Sequence, residues 1–415
     1  KGRIRNTGVT MAIKLSKKQI KDGWQIVKFD EIANEAKSTT KAPTEEGLEF
    51  YVGLEHLDPQ SLRIARKGII AEDNPSFTRC FSAGQILFGK RRCYQKKAAV
   101  ADFEGICSGD IIVMDAIPKK IIPGLLPFII QSDAFFDWAE KTSSGSLSPR
   151  TKWKSLAEFE FPLPPIERQK EILEVLEKLE EGISRSEVAF DSAKILRKAI
   201  RSNFLFKGYS TKQTKKTRWG EVPKGWKIQP LSEMAQINPR YTLAKNEPIQ
   251  FCEMAVVGND SMSIKGEIET REKVSGGARF KNKDIIFARI TPCAENGKIT
   301  IVDFLKEDSI GVGSTEFIVI SPRKTSSEYL YHLCRTNRVH GYAIKRMAGT
   351  TGRQRIPNEV FDEIMIPIPP SEEMCIIEEQ LHNAEKTVTS IESKTSRMKM
   401  LRTSFFNEVF IGGVQ

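Results

Sequence analysis

Five groupings of residues in this chain could do chemistry. Asn238-Pro239-Arg240-Tyr241 has the order in which an amide and a carbonyl hold the amino group of an extruded base while the aromatic ring stacks on it. Its third position is Arg, and no glycine-rich strand-to-helix loop for a group donor lies upstream, so the quartet reads as a turn. Gly311-Val312-Gly313 runs into strand-like sequence rather than a helix and fails the dinucleotide context. The histidines, His56, His332, His340 and His382, lack metal-ligand spacing, and His332 and His340 read as structural or solvent-facing. Asp110 and Asp115, followed by Lys119 and Lys120, are too sparse for a nuclease cluster. No catalytic residue and no metal site is therefore expected. The seven cysteines form no CxxC pair and read as reduced thiols of a cytoplasmic protein.

The fifth grouping is basic. Lys90, Arg91, Arg92, Tyr94, Lys96 and Lys97 lie within eight positions beside an apolar run, which suits phosphate contact and base-edge reading. Further along, Arg289, Lys298 and the loop Thr350, Thr351, Gly352, Arg353, Gln354, Arg355 have the same character. Arg and Gln can each make paired hydrogen bonds to a base edge, whereas Thr hydroxyls more often reach phosphate. A matching small-polar loop, Gly145 to Arg150, lies 205 residues earlier and contributes Ser146 and Arg150 to the candidates. The formal charge of +11, from 64 basic and 53 acidic residues, points the same way, toward an anionic partner.

Those loops need elements to hold them. The 415 residues exceed one ordinary domain. GWQIVKFDEIA at 23 to 33 returns as GWKIQPLSEMA at 225 to 235, FSAGQILFGKR at 81 to 91 as FKNKDIIFARI at 280 to 290, and FPLPPIERQKEI at 161 to 172 as IPIPPSEEMCII at 366 to 377. The chain is one unit of about 200 residues written twice. Each copy opens with short apolar runs broken by Gly, Pro and Asn, which read as strands of an α+β head. A double-proline stop follows, and then about 40 residues without proline, which read as a long helix with a hard start.

The two helices carry matched heptad seams. Ile172, Leu176, Leu179, Ile183, Ser186, Phe190, Ala193, Arg197, Ile200 and Phe204 follow 4,3 spacing, and Ile377, Leu381, Ala384, Val388, Ile391, Thr395, Met398, Arg402, Phe405 and Val409 repeat it 205 residues later. Two such seams in one chain predict an antiparallel coiled coil about an internal pseudo-two-fold, a spacer of roughly 60 Å. Leu173, Val175 and Ile376 lie off the seam and suit a partner-subunit interface. The stretch 207 to 218 reads as a flexible basic connection. Met11 is the expected natural start, the ten residues before it reading as foreign. The longest apolar stretch, 121 to 130, is broken by Pro and Gly and falls well short of the roughly 20 residues of a membrane span.

The GW-x-I openings at Gly23 and Gly225, the strand motif KDIIFARI at 283 to 290 and the PLPP-x-E-R-Q-K-E-I segment at 162 to 172 together resemble the specificity subunits of type I restriction-modification systems. Gln85 stands where that family often has Asp, and the second closing motif reads PSEEMCII. The resemblance implies two target-recognition domains, at 23–165 and 225–370, alternating with long helices at 166–208 and 371–413. An extension at 1–22 and a linker at 209–224 complete the chain. It also implies a non-catalytic, cytoplasmic subunit that directs two methyltransferase subunits, and restriction subunits, to a split double-stranded DNA sequence. S-adenosylmethionine would be used by the methyltransferase, and this chain would need no cofactor. The alternative is a coiled-coil scaffold whose basic heads bind nucleic acid without sequence preference.

Overall fold

The computed structural model describes residues 14–209, 213–217, 220–244, 247–350 and 352–410. It divides into two units, residues 1–186 with 394–415, and residues 187–393, so that both boundaries fall inside long helices. Each unit holds one head together with half of each long helix.

The same three sheets build both heads. In unit 1 the all-antiparallel sheet runs in the order Ala33–Ala36, Ile111–Ala116, Ile86–Gly89, Ala98–Val100. A second sheet runs Gly68–Ile69, Phe50–Val52, Gly105–Cys107, Arg79–Phe81, with Phe50–Val52 parallel to Gly105–Cys107. In unit 2 the corresponding orders are Ala235–Ile237, Phe317–Pro322, Ile285–Ala288, Ile299–Ile301, and Glu269–Arg271, Ile249–Cys252, Ile310–Gly313, Ala278–Lys281. The central strands are buried on both faces, which is why their sequences ILFG and IIFA are continuously apolar rather than alternating. The third sheet pairs the start of each head with its end, Gln25–Lys28 with Glu160–Leu163 and Lys227–Pro230 with Met365–Ile368.

That closing ribbon delivers the chain to a helix start. Pro164 and Pro165 precede Ile166–Lys207, and Pro369 and Pro370 precede Ser371–Phe410. Gly23 sits at φ 78°, and a Cβ there would stand 3.2 Å from Pro165 Cγ, so the glycine of the opening motif makes room for the proline stop. The tryptophans that follow anchor helix ends. Trp24 packs edge-on against Phe410 at 6.0 Å, and the Trp226 indole N–H donates to Glu373 at 2.8 Å. The Asp replaced in the first copy keeps its function: Gln85 Oε1 accepts from Ser82 N at 2.8 Å, as Asp284 Oδ2 accepts from Lys281 N at 2.8 Å.

Every described seam residue is buried or half-buried. In unit 1, Ser186 meets Thr395 at 2.7 Å between hydroxyls and Glu180 pairs with Arg402. In unit 2, Arg197 NH1 pairs with Glu385 at 2.8 Å. One helix number rises as the other falls, so the pairing within each unit is antiparallel. Arg197 and Arg402 are 205 apart, as are Glu180 and Glu385, so the two pairs are copies of one contact. Each arginine also holds its own head: Arg402 NH2 donates to the Gln60 carbonyl at 3.2 Å, and Arg197 NH2 pairs with Asp260.

Two expectations change. Leu173 is not a free surface residue, because it packs into the unit 1 core beside Gly124. The connection predicted to be flexible contains a hairpin, Thr214–Thr217 paired with Gly220–Pro223, because Lys215 Nζ donates to the Trp226 carbonyl at 2.7 Å and fixes it. Among the described residues, no helix is long and apolar enough to cross a membrane.

Candidate nucleic-acid interface

Each head presents one polar loop, and both loops are built by the same device. In unit 1 the loop from Ser144 to Arg150 is closed by paired backbone bonds between those two residues, each at 3.0 Å. Arg150 then bridges to Arg91, just past the strand Ile86–Gly89. In unit 2 the loop from Ala348 to Arg355 closes in the same way at 2.9 Å, and Arg355 bridges to Ile290. Gly145 at φ 114° and Gly349 at φ 130° take the turn that side chains disfavour.

A carboxylate locks each closing arginine. Arg150 Nε donates to Asp110 Oδ1 at 2.8 Å, and Arg91 adds NH1 to Oδ2 at 3.3 Å and Nε to Ser148 Oγ at 2.6 Å. Arg355 grips Glu316 with Nε at 2.9 Å and NH2 at 2.6 Å. Asp110 N bonds to Ser108 Oγ and Glu316 N to Ser314 Oγ, both at 3.2 Å, so SGD and STE are one turn in two copies. The Arg355 hydrogen bond holds the Glu316 carboxyl below its ordinary value despite partial burial. Burial would raise the Asp110 carboxyl, but bonding and charge from Arg150 and Arg91 outweigh it and leave the group lowered.

The structure thus sorts the sequence candidates. Arg150, Arg91 and Arg355 shape the loops. Lys97 and Lys298 are a matched pair of tethers, each donating its ammonium at 2.7 Å to a carbonyl, Leu54 and Met254 respectively. Lys96, at φ 50°, pairs with Asp133. Lys90 is half-buried, and burial, with Arg79 nearby, lowers its ammonium pKa. Arg289 NH1 donates to Asn358 at 3.1 Å. What stays presented to solvent in unit 1 is Arg92, at φ 56°, Tyr94 and Ser146, with Leu147 beside them at 93% exposure. In unit 2 it is Thr350 and Arg353, with Gln354 half-exposed; Thr351 lies outside the described residues. The carboxylates Asp110 and Glu316 were missed as loop anchors. The signal was present as Ser-x-acid immediately before an apolar strand, repeated 206 residues apart.

The misleading motifs have structural explanations. Asn238 adopts φ 46°, and its Oδ1 accepts from Val319 N at 2.9 Å, a turn lock. Gly311 and Gly313 are strand residues pressed on Phe280 and on the Cys252 carbonyl. His332 is buried, accepts from Arg201 Nε at 3.2 Å, and is kept neutral by burial and by three arginines.

Each unit is thus an α+β head with an arginine-clamped loop, joined to long helices that pair antiparallel within the unit, and the chain is a duplicated architecture of two such units. The profile of one family, described as type I restriction modification DNA specificity domain, matches residues 21–187 and 223–399, and the chain belongs to that family. The type I restriction enzyme EcoEI specificity subunit of Escherichia coli is 34% identical over 167 residues, which are 38% of this chain and 27% of that protein. The E. coli EcoAI and EcoDI specificity subunits match over 27% and 35% of their length, so the chain spans about a third or less of these relatives. The MjaVIII specificity subunit of Methanocaldococcus jannaschii is 21% identical over 96% of this chain and 94% of its own. In fold, the chain resembles the type I restriction-modification S subunit from M. genitalium, with TM-score 0.53, 12% identity and coverage of 96% and 98%. A chain from a study of type I complex assembly and conformational transition gives TM-score 0.51, 17% identity and coverage of 95% and 98%.

Proposed function

We propose that the chain is the non-catalytic DNA-recognition subunit of a type I restriction-modification complex and reads an asymmetric, two-part target. The observation that carries this reading is one loop scaffold holding two different sequences. The clamps Arg150–Asp110 and Arg355–Glu316 recur in both heads, while the tips differ in sequence, Ser146-Leu147-Ser148 in one head and Thr350 to Gln354 in the other. A shared scaffold with unlike tips suits two readers of unlike half-sites.

Catalysis falls to partners: two methyltransferase subunits using S-adenosylmethionine, and restriction subunits, in the cytoplasm. Off-seam apolar residues support two equivalent docking faces, because Ile195 and Leu196 are 71% and 58% exposed in unit 2 and Met400 and Leu401, 205 residues on, 63% and 56% in unit 1. Of Leu173, Val175 and Ile376, the off-seam residues expected at such a face, Val175 and Ile376 are also exposed, at 41% and 37%.

The test is co-expression with a cognate methyltransferase and genome-wide mapping of N6-methyladenine. A split motif, altered on one side only when the loop Gly349–Gln354 is replaced, is the expected result. Partner binding with no methylated motif would favour a scaffold whose basic heads hold DNA without reading it.

A further inference from the structure

Unit 2 contains an open pocket of about 590 Å³ lined by Lys198, Arg201, Arg335, Arg338 and Lys345, with Phe206, Tyr342, Ser202, Thr336 and Asn337 completing it. Among the described residues, five cations line this pocket and no carboxylate does. Asp260 and Glu385 are carboxylates that act on Arg201. Asp260 pairs with Arg335 at 3.1 Å and with Arg197, and Glu385 pairs with Arg197, which leaves Lys198 and Lys345 outside those ion pairs.

Arg201 is the deepest member. Its side chain rises from the long helix, the residue is 7% exposed, and Nε donates to His332 while NH2 is buried with no partner among the described residues. A buried guanidinium nitrogen left unbonded costs free energy that a suitable acceptor would recover. Burial, together with Arg335 and Arg197, pulls this guanidinium down to about 10. The exposed ammonium groups of Lys198 and Lys345 supply mobile donors at the rim.

The fold does not require this charge. At the 205 offset along the long helices, Lys198 and Arg201 correspond to Thr403 and Phe406 in unit 1. Arg335 corresponds to Gln131, since Arg335 NH1 bonds the Ile299 carbonyl where Gln131 bonds that of Ala98, and the next residues, Thr336 and Ser132, cap back identically at 2.7 Å. Arg338 corresponds to Ala134. A unit 1 pocket that includes Thr403, lined also by Asp133, Asn407 and Glu408 with Arg402 and Lys399, has mixed charge.

We propose that the unit 2 pocket binds a phosphate-class oxyanion. Guanidinium and ammonium donors converging on one water-accessible cavity match the several acceptor oxygens and the charge of such a group. The group is either a free phosphate or a backbone phosphate of bound duplex.

The test is calorimetric titration of the full chain with inorganic phosphate against chloride at equal ionic strength. The wild-type chain is expected to show saturable one-site binding, and Lys198→Thr with Lys345→Ala, both at exposed positions, to weaken it about tenfold or more. Arg201→Phe, which copies the unit 1 residue, is a second variant with the same expected loss. Binding of random-sequence duplex across salt concentrations identifies the source. A slope reduced by about one phosphate contact in the lysine variant assigns a backbone phosphate, and an unchanged slope with phosphate binding lost assigns a free one. Phosphate heats no different from chloride, or equal in wild type and both variants, overturn the site. That failure leaves the two-part DNA reading intact, because the methylated motif is read independently.

Discussion

The two units carry the same sheets, the same clamp and the same helix-pair contact, yet they differ in what surrounds each copy. The contact arginine of unit 2 is nearly sealed from water, with Arg197 and Glu385 side chains 3% and 5% exposed, whereas Arg402 and Glu180 in unit 1 are 9% and 17% exposed. Unit 2 adds His332 and Arg201 to its network, where unit 1 has Phe128 and Phe406. A duplicated scaffold therefore keeps what positions its loops and varies both the loop tips and the polar content of the core behind them.

The largest expected effect comes from breaking the helix-pair contact. Arg197→Ala leaves Glu385, whose carboxyl burial already raises, without its partner and should destabilise the chain by about 3–5 kcal/mol. Arg402→Ala should cost less, about 1–3 kcal/mol, because water reaches Glu180. Denaturant unfolding of both variants measures the difference, and equal losses would erase the contrast.

Next are the loop tips. Arg353→Ala should weaken target binding by about 1–3 kcal/mol and relax sequence preference on one half of the target, with thermal stability unchanged. Arg92→Ala should instead lower affinity for all sequences and reduce the salt slope by about one unit. Competition binding with single-base target variants separates the two behaviours; the same profile for both would remove the distinction between reader and phosphate contact.

A third comparison is pH dependence. The folded His332 pKa lies well below 6.5, so the unfolded chain binds more protons below that value and stability falls as pH drops through it. Glu385, raised by burial, works in the opposite sense at lower pH. His332→Phe, which imports the unit 1 residue, should flatten the slope by up to about 1.4 kcal/mol per pH unit below 6.5. Parallel stability curves for wild type and variant between pH 7 and 5.5 would show that the histidine does not stay neutral.

The smallest effects concern the clamps. Their carboxyl pKa values are lowered, so the clamps are fully formed above the ordinary carboxylate range and weaken as pH falls below it. Glu316→Gln or Asp110→Asn should raise amide hydrogen exchange in its own loop and leave the other loop unchanged. Exchange unchanged in both loops would mean that backbone pairing alone holds them.

Much of this architecture was legible because it is periodic or repeated. The heptad seam is a local rule, so Ile172, Leu176, Leu179, Ile183, Phe190, Ile200, Ile377, Leu381, Val388, Ile391, Met398 and Phe405 could be named before any fold was known, and all are buried or half-buried. The candidate interface was legible only as a region. A count of basic residues cannot distinguish a guanidinium that meets solvent from one that meets a carboxylate brought in by a distant strand.

The sequence by itself determined the duplication, the proline-stopped helices and the seam, because each rests on spacing along the chain. Only the tertiary structure decided which cations remain available. Arg150, Arg355, Lys97 and Lys298 end on groups 39 to 44 residues away in sequence, and Arg92 and Arg353 do not. The physical reason is that an ion pair or a carbonyl tether depends on which segments the sheets bring within hydrogen-bond reach, and sheet pairing is set by the whole core rather than by neighbouring residues.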